Sequence, residues 1–219
     1  MSAVRNTPVE EMTIVGEDRV LNMLGALLGL LVAAPLMLAS ALVIRLMMGP
    51  PVLFRQVRVG RDERAFTLYK FRTMNEVRDA HGELLPAGAR LTRLGRCLRY
   101  LSLDELPQLW NVLIGDMALV GPRPLHVQYL PYYTDRERRR HLVRPGLTGL
   151  AQVSGRNSLG WEERLELDAR YVETRSLALD LQILWRTARK VVDRSDVRDT
   201  PVEGSLVDHR RGLTSREPG

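Results

Sequence analysis

One cysteine, Cys97, stands in 219 residues. That excludes an internal disulfide framework and suits a reducing compartment; a lone thiol of this kind reads as a small buried side chain. Aromatic residues are sparse at 5%, and no aromatic interleaving or known reader motif accompanies the run of Arg90, Arg93, Arg96 and Arg99. Nucleic acid is therefore not the expected partner. There is no internal repeat. Charge is missing altogether from Met23 to Ile44. That run is too long for the apolar part of a signal peptide, and no small-residue cleavage site follows it, so it reads as retained.

What is present is otherwise ordinary for a globular domain: 26% charged and 45% hydrophobic residues. The net charge of +6 and a pI near 10.0 favour an anionic partner such as lipid headgroups or phosphorylated substrates. The uncharged run, MLGALLGLLVAAPLMLASALVI, matches the roughly 20 apolar residues that a bilayer-crossing helix needs. Pro35 lies near its middle, removes a backbone donor and clashes with the carbonyl of Leu31, so a kink is expected there. Two outcomes follow: a kinked helix that crosses, or a helix-break-helix that enters one leaflet and returns. Arg55, Arg58, Arg61, Arg64, Lys70 and Arg72 place the following side in the cytoplasm. The mixed charges before the run favour neither outcome.

The chain divides into a flank (1–18), a membrane segment (19–48), a main domain (49–194) and a poorly ordered tail (195–219). Within the main domain, Val52–Met74 reads as a β-hairpin with its turn at Gly60–Arg64. Period-2 geometry puts Phe66, Leu68, Lys70 and Arg72 on one face, where two cations could grip an anion. Residues 75–90 look like a mobile loop. The arginines at 90, 93, 96 and 99 make one basic stripe if helical, suited to a membrane surface. Thr134–Arg140 reads as a solvated charged face and Trp161–Arg175 as a helix. Leu177–Val192 is an amphipathic helix with Leu177, Leu181, Leu184, Ala188 and Val191 on its apolar face, for the domain core or the headgroup layer.

Two acids stand together in Ser102-Leu-Asp104-Glu105-Leu-Pro107. Ser102 and Glu105 fit a capping box, and acids in a first helical turn are favoured by the helix dipole. Pro107 argues for Asp104 as the cap instead. Leu106, Leu109, Trp110 and Leu113 would then form the buried face, with Gly115 ending the helix. The alternative is a reaction centre. Adjacent helical side chains diverge by about 100°, so the acids would divide labour rather than share a proton, beside N–H groups that favour phosphate. Val120-Gly121-Pro122-Arg123-Pro124 and Arg144-Pro145-Gly146-Leu147-Thr148-Gly149 follow, then Gln152 and Arg156. Glycine and proline at this density beside arginines suit a preformed anion pocket; either segment alone is also plain turn chemistry.

Taken together, KFRTM (70–74), LDELPQLWNVLIGDMALVGPRPL (103–125) and RPGLTGLAQVSGRN (144–157) closely resemble the bacterial sugar transferases. These are monotopic polyprenyl-phosphate phosphoglycosyl transferases, and the likeness runs from about residue 18 to 194 in the compact, single-domain form. The resemblance implies a mostly helical α+β fold: a re-entrant membrane helix, a cytoplasmic catalytic domain with a small β-hairpin, and amphipathic interfacial helices. It implies transfer of a phosphosugar from a UDP-sugar to polyprenyl (undecaprenyl) phosphate with release of UMP, which starts glycoconjugate or exopolysaccharide assembly. Asp104 would be the nucleophile that carries a covalent phosphosugar. Glu105 would help hold Mg²⁺ with Asp104 or assist proton movement. Lys70, Arg72, Arg99, Arg123 and Arg156 would meet phosphates, with Pro122 and Pro124 holding Arg123 and Pro35 making the membrane break.

Implied partners are the two substrates and membrane lipids, with no nucleic acid, and the resemblance leaves room for a homodimer. The implied place is the cytoplasmic face of the bacterial inner membrane. Two departures from the family pattern stand out: Ala34 rather than serine before Pro35, and Arg175 and Ala178 where tryptophans are usual. The competing reading is a catalytically silent membrane-bound scaffold. The presence of both acids and all the named basic residues speaks against it.

Overall fold

The computed structural model describes residues 9–155, 159–193 and 205–214. It is mostly helical, as expected. One long helix, α1 (Val9–Met48), precedes an antiparallel hairpin of β1 (Leu53–Val59) and β2 (Ala65–Phe71). Then come α2 (Ala87–Arg90), α3 (Arg93–Tyr100) and α4 (Gln108–Ile114). Strands β3 (Ala118–Val120) and β4 (Gly146–Thr148) enclose α5 (Asp135–Arg138). Helices α6 (Leu150–Ser154), α7 (Trp161–Thr174), α8 (Leu177–Asp193) and α9 (Leu206–Thr214) complete the order.

The hairpin and its turn lie where expected, with Leu68 opposite Gln56 and Lys70 opposite Phe54, and the turn carries Asp62 and Glu63 at positive φ. Leu68 is buried with Ala26, Val112 and Met117, so α1 and α4 close on the same face of the hairpin. A second, parallel pair joins Ala118 to Gly146 and Val120 to Thr148. This pairing brings the two Gly/Pro-rich segments backbone to backbone. A Cβ on Gly121 or Gly146 would overlap the facing main chain, so these glycines serve close approach, not turn geometry.

Several expectations are corrected. Helix α1 runs unbroken through Pro35, because the loss of one backbone donor does not end so long an apolar helix. Its apolar surface is largely outward: Leu31, Val32 and Leu38 are each at least 66% exposed. In α8 the core takes Ile183 and the sides of Leu179 and Leu184, while Leu177, Leu181 and Trp185 point outward. The apolar stripe of that helix is therefore divided, with Leu184 on the core and Leu177 and Leu181 at the surface. Cys97 is exposed rather than buried. Residues 75–90 form a bridged excursion, closed by Arg78–Leu84 and Met74–Leu91 pairs. The basic stripe is split, with Arg90 ending α2 and Arg93, Arg96 and Arg99 exposed on α3.

The charged run 134–140 is only half solvated. Thr134 and Glu137 make a capping box, Glu137 is buried, and Arg140 is buried further in. Part of the expected tail is also ordered. Leu206 of α9 is fully buried among Leu125, Tyr129, Tyr133, Trp161 and Leu165, and Arg210 pairs with Glu137 and Glu162. Leu206→Ala should cost about 2–5 kcal/mol, the usual penalty for emptying a buried leucine site. Thermal unfolding of the detergent-solubilised protein checks this, with little change expected for the exposed Leu181→Ala.

Candidate active site

The acids lie on a single 3-10 turn, Leu103–Glu105, ahead of α4. Neither predicted cap is used: Ser102 takes a left-handed conformation and makes no capping bond, and Pro107 is the residue that precedes the helix. Proline suits that place because its missing N–H has no helical partner to lose. Gly115 ends α4 in the left-handed region, as expected. Leu109 is buried as expected, but Trp110, expected on the same face, is 51% exposed, and Gln108, Asn111 and Val112 are buried instead.

Asn111 shows why. It has no exposed surface, its Oδ1 accepts from Tyr69 N at 3.1 Å, and its Nδ2 donates to Thr67 O at 2.7 Å. The side chain thus occupies backbone positions of β2 and pins α4, with the acids before it, to the strand that carries Lys70. Sequence reading missed this residue, since an asparagine inside a short helix has no pattern to mark it.

The turn sets Asp104 inward, 8% exposed, and Glu105 beside two cations. Lys70 Nζ donates to Glu105 Oε1 at 2.6 Å, and Arg123 Nη2 donates to the same oxygen at 2.7 Å. Burial alone would raise the Glu105 carboxyl, but the Arg123 and Lys70 charges and hydrogen bonds hold it far below the usual carboxylate range. Asp104 moves the other way. Burial, and then the Glu105 charge, push it above its ordinary value, against the pull of Lys70, Arg99 and Arg123. The two acids therefore differ in kind: one is clamped and ionised, the other is desolvated and carries no hydrogen bond from any described residue.

Of the basic residues expected at phosphates, Lys70, Arg99 and Arg123 gather around this turn. Arg99 Nε reaches Thr73 Oγ1 at 3.1 Å, and its charge acts on Asp104. Arg72 lines the same cavity, but its guanidinium already has main-chain partners. It donates to the Met48, Gly49 (2.6 Å) and Pro50 (2.8 Å) carbonyls, where a cation satisfies the open end of α1. Arg156 lies outside the described residues. Pro122 and Pro124 are both buried on either side of Arg123.

A cavity of about 1070 Å³ encloses the site. Its lining joins Lys70, Asp104, Glu105 and Arg123 to Val32, Ala33 and Leu36 of the apolar helix. It extends to Thr148, Gln152, Thr187 and Lys190, and takes in Arg58 and Arg164, which sequence reading passed over. Arg58 is lowered to about 10 by burial and then by the charge of Arg123, so the cavity concentrates positive charge.

A match to the family model described as bacterial sugar transferase covers residues 14–194. The chain belongs to that family. It is 50% identical over 182 residues to the uncharacterized sugar transferase EpsL of Bacillus subtilis (strain 168), covering 83% of this chain and 90% of that protein. It is 42% identical over 191 residues to a UDP-glucose:undecaprenyl-phosphate glucose-1-phosphate transferase of Caulobacter vibrioides, covering 82% and 71% of the two chains. It is 39% identical over 183 residues to a UDP-N-acetylgalactosamine-undecaprenyl-phosphate N-acetylgalactosaminephosphotransferase of Aeromonas hydrophila, covering 80% of this chain and 43% of that one. The sugar transferase family match ends before α9, so the helix that buries Leu206 lies beyond the shared region.

Asn111→Ala should leave Tyr69 N and Thr67 O without partners, at about 1–3 kcal/mol for each buried group. The expected result is a clear drop in melting temperature together with loss of activity, because Lys70 and the acid turn lose their common anchor.

Proposed function

We propose that this sugar transferase moves a phosphosugar from a UDP-sugar to polyprenyl phosphate, undecaprenyl phosphate in particular, and releases UMP. The observation that carries this reading is the joint lining of one cavity. An acid pair with convergent cations opens onto the apolar helix α1 at Val32, Ala33 and Leu36, which suits an acceptor that is phosphate at one end and hydrocarbon along the rest. The names of the relatives from Caulobacter and Aeromonas agree with this substrate pair.

In the proposed first step a carboxylate oxygen of Asp104 attacks the sugar-bearing phosphorus of the diphosphate. The bond from that phosphorus to the bridging oxygen breaks, and UMP leaves with the electron pair. In the second step an oxygen of the lipid phosphate attacks the same phosphorus and the bond to Asp104 breaks, which restores the carboxylate. Glu105, held ionised, keeps Lys70 and Arg123 in place to receive the phosphoryl charge that develops. The same two carboxylates fit Mg²⁺, which characteristically takes one or two protein carboxylates and completes its shell with substrate phosphate and water. Asp104, whose carboxylate takes no hydrogen bond from any described residue, and Glu105 would hold it. When bound, it would offset diphosphate charge.

The site of action is the cytoplasmic face of the inner membrane, with both ends of α1 on that side and its unbroken apolar part in one leaflet in place of the helix-break-helix that the resemblance implies. Both ends of its apolar part rest on the same domain, which supports this placement. Near the start, Asn22 Oδ1 accepts from Leu119 N at 2.6 Å, and Gly25 and Gly29 lie against Leu119 and Leu109. Near the end, Ile44 is buried with Phe71 and Leu98. A helix that crossed the bilayer would leave one of these contacts on the far side.

Two measurements test the proposal. With polyprenyl phosphate, Mg²⁺ and a panel of UDP-sugars, Asp104→Asn should lower UMP release by at least about a thousandfold, as expected for loss of a covalent nucleophile; near wild-type release would overturn the assignment. With Cys97, which is itself exposed, replaced by serine, a cysteine placed at Ser2 should react with membrane-impermeant reagent only in inside-out vesicles. Labelling from the periplasmic side alone would show that α1 crosses.

A further inference from the structure

Arg140 and Asp168 are the most deeply buried charged pair described, each 2% exposed. Arg140 comes from the turn Arg139–Leu142, inside a run that reads as solvated, and Asp168 comes from the middle of α7. Arg140 Nη2 donates to Asp168 Oδ2 at 2.7 Å and to the main-chain oxygen of Arg123, also at 2.7 Å. Its Nη1 reaches the Tyr133 hydroxyl at 3.2 Å, and the guanidinium carbon lies 5.6 Å from the centre of the Tyr133 ring.

Stability alone is a poor reason for this arrangement. Removing two charges from water is costly, and well-packed apolar residues in their place are commonly as stable or more so. Arg140 Nε is moreover buried without a hydrogen-bond partner, which adds to the cost. What an apolar pair could not do is grip a particular carbonyl. Asp168 fixes the direction of the guanidinium, and the guanidinium fixes the orientation of the Arg123–Pro124 peptide. The flanking prolines already restrict this stretch, because Pro122 has a fixed φ and the residue before Pro124 is held extended. With the carbonyl held as well, the Arg123 side chain leaves the main chain in one direction, and that direction leads to Glu105 Oε1 at 2.7 Å.

We propose that Arg140 and Asp168 are positioning residues for the transfer reaction, which act through the main chain of Arg123 to hold its guanidinium at Glu105 and the reacting diphosphate. This rests on the phosphosugar-transfer reading above. The pair works at one remove: Asp168, although it also borders the cavity, sets Arg140, and Arg140 sets the Arg123 peptide, so that their effect on the reaction passes through Arg123.

The test is a double-mutant cycle on the full-length protein in detergent, read as UMP release with the UDP-sugar that the wild type uses. Asp168→Asn keeps the side-chain shape and Tyr133→Phe removes only a hydroxyl, so both are made in case Arg140→Lys fails to fold. Each is assayed well below its own melting temperature and normalised to folded protein. Asp168→Asn should lower kcat by about tenfold or more with KM changed by less than about threefold, the pattern for an interaction used in the transition state. Combined with Arg123→Ala, it should cost less than about twofold further, since residues that act through one another are not additive. Unchanged kcat per folded molecule would reduce the pair to a purely structural role. Losses that multiply in the double variant would show that Asp168 acts on the substrate or elsewhere, without Arg123. Either result overturns the proposal and leaves the Asp104→Asn result, measured in the same series, to judge the transfer reading on its own.

Discussion

Glu105 Oε1 accepts from both Lys70 and Arg123, so one oxygen atom joins β2 to the loop that follows β3. Without that carboxylate the two cations would face each other with only Asp104 nearby to offset their charge. With it, the ammonium and guanidinium are held close at low cost in repulsion, and each keeps donors to spare for a phosphate. The contrast between the acids follows from the same atom. Glu105 takes the cations and stays charged; Asp104, next to it, receives its negative field and the burial without an equal share of the compensation. A carboxylate that is poorly solvated and poorly hydrogen-bonded is a better nucleophile than one that is well satisfied. Adjacent residues on one turn thus acquire opposite characters because they face different neighbours.

Much of this was legible in the chain because it is local. The hairpin shows in alternation and in its turn, the end of α4 shows in Gly115, and the acid pair stands out as charge inside an apolar stretch. What escaped is set by partners far away in sequence. Asn111 matters through Thr67 and Tyr69, Arg140 through Asp168 and Arg123, and Arg72 through the end of α1. No periodicity announces such pairs. Arg72 is the instructive case, since strand alternation correctly put it beside Lys70 in pattern but could not show that three carbonyls claim it first. The α8 stripe is a different case. Its apolar periodicity left the core and the headgroup layer equally open as destinations, because periodicity identifies a face without saying whether protein or lipid covers it.

That ambiguity bears on how the whole molecule is stabilised. In a water-soluble protein, outward Leu31, Val32, Leu38, Leu177, Leu181 and Trp185 would form an apolar surface that invites association. Here the same residues belong to a chain whose longest apolar helix suffices in length and composition to cross a bilayer. With hydrocarbon as the solvent on that side, exposure of leucine carries no hydrophobic penalty. Packing there need only set the position of the helix. Small residues do so: Gly25 and Gly29 let α1 approach Leu119 and Leu109, and Ala26 is fully buried between them.

The cavity then gains its meaning from the same boundary. Val32, Ala33 and Leu36 line it from a helix that exposes much of its apolar surface, so the apolar wall of the site is continuous with that exposed surface. A polyprenyl chain on that route would exchange one hydrocarbon environment for another, with little gain or loss in transfer free energy. Its binding would have to come from the phosphate end, at Lys70, Arg99 and Arg123. Selection for an acceptor of this kind therefore needs no deep lipid pocket. It needs convergent cations placed within reach of the membrane surface, and the anchoring of α1 along its length, from Asn22 to Ile44, is what keeps them there.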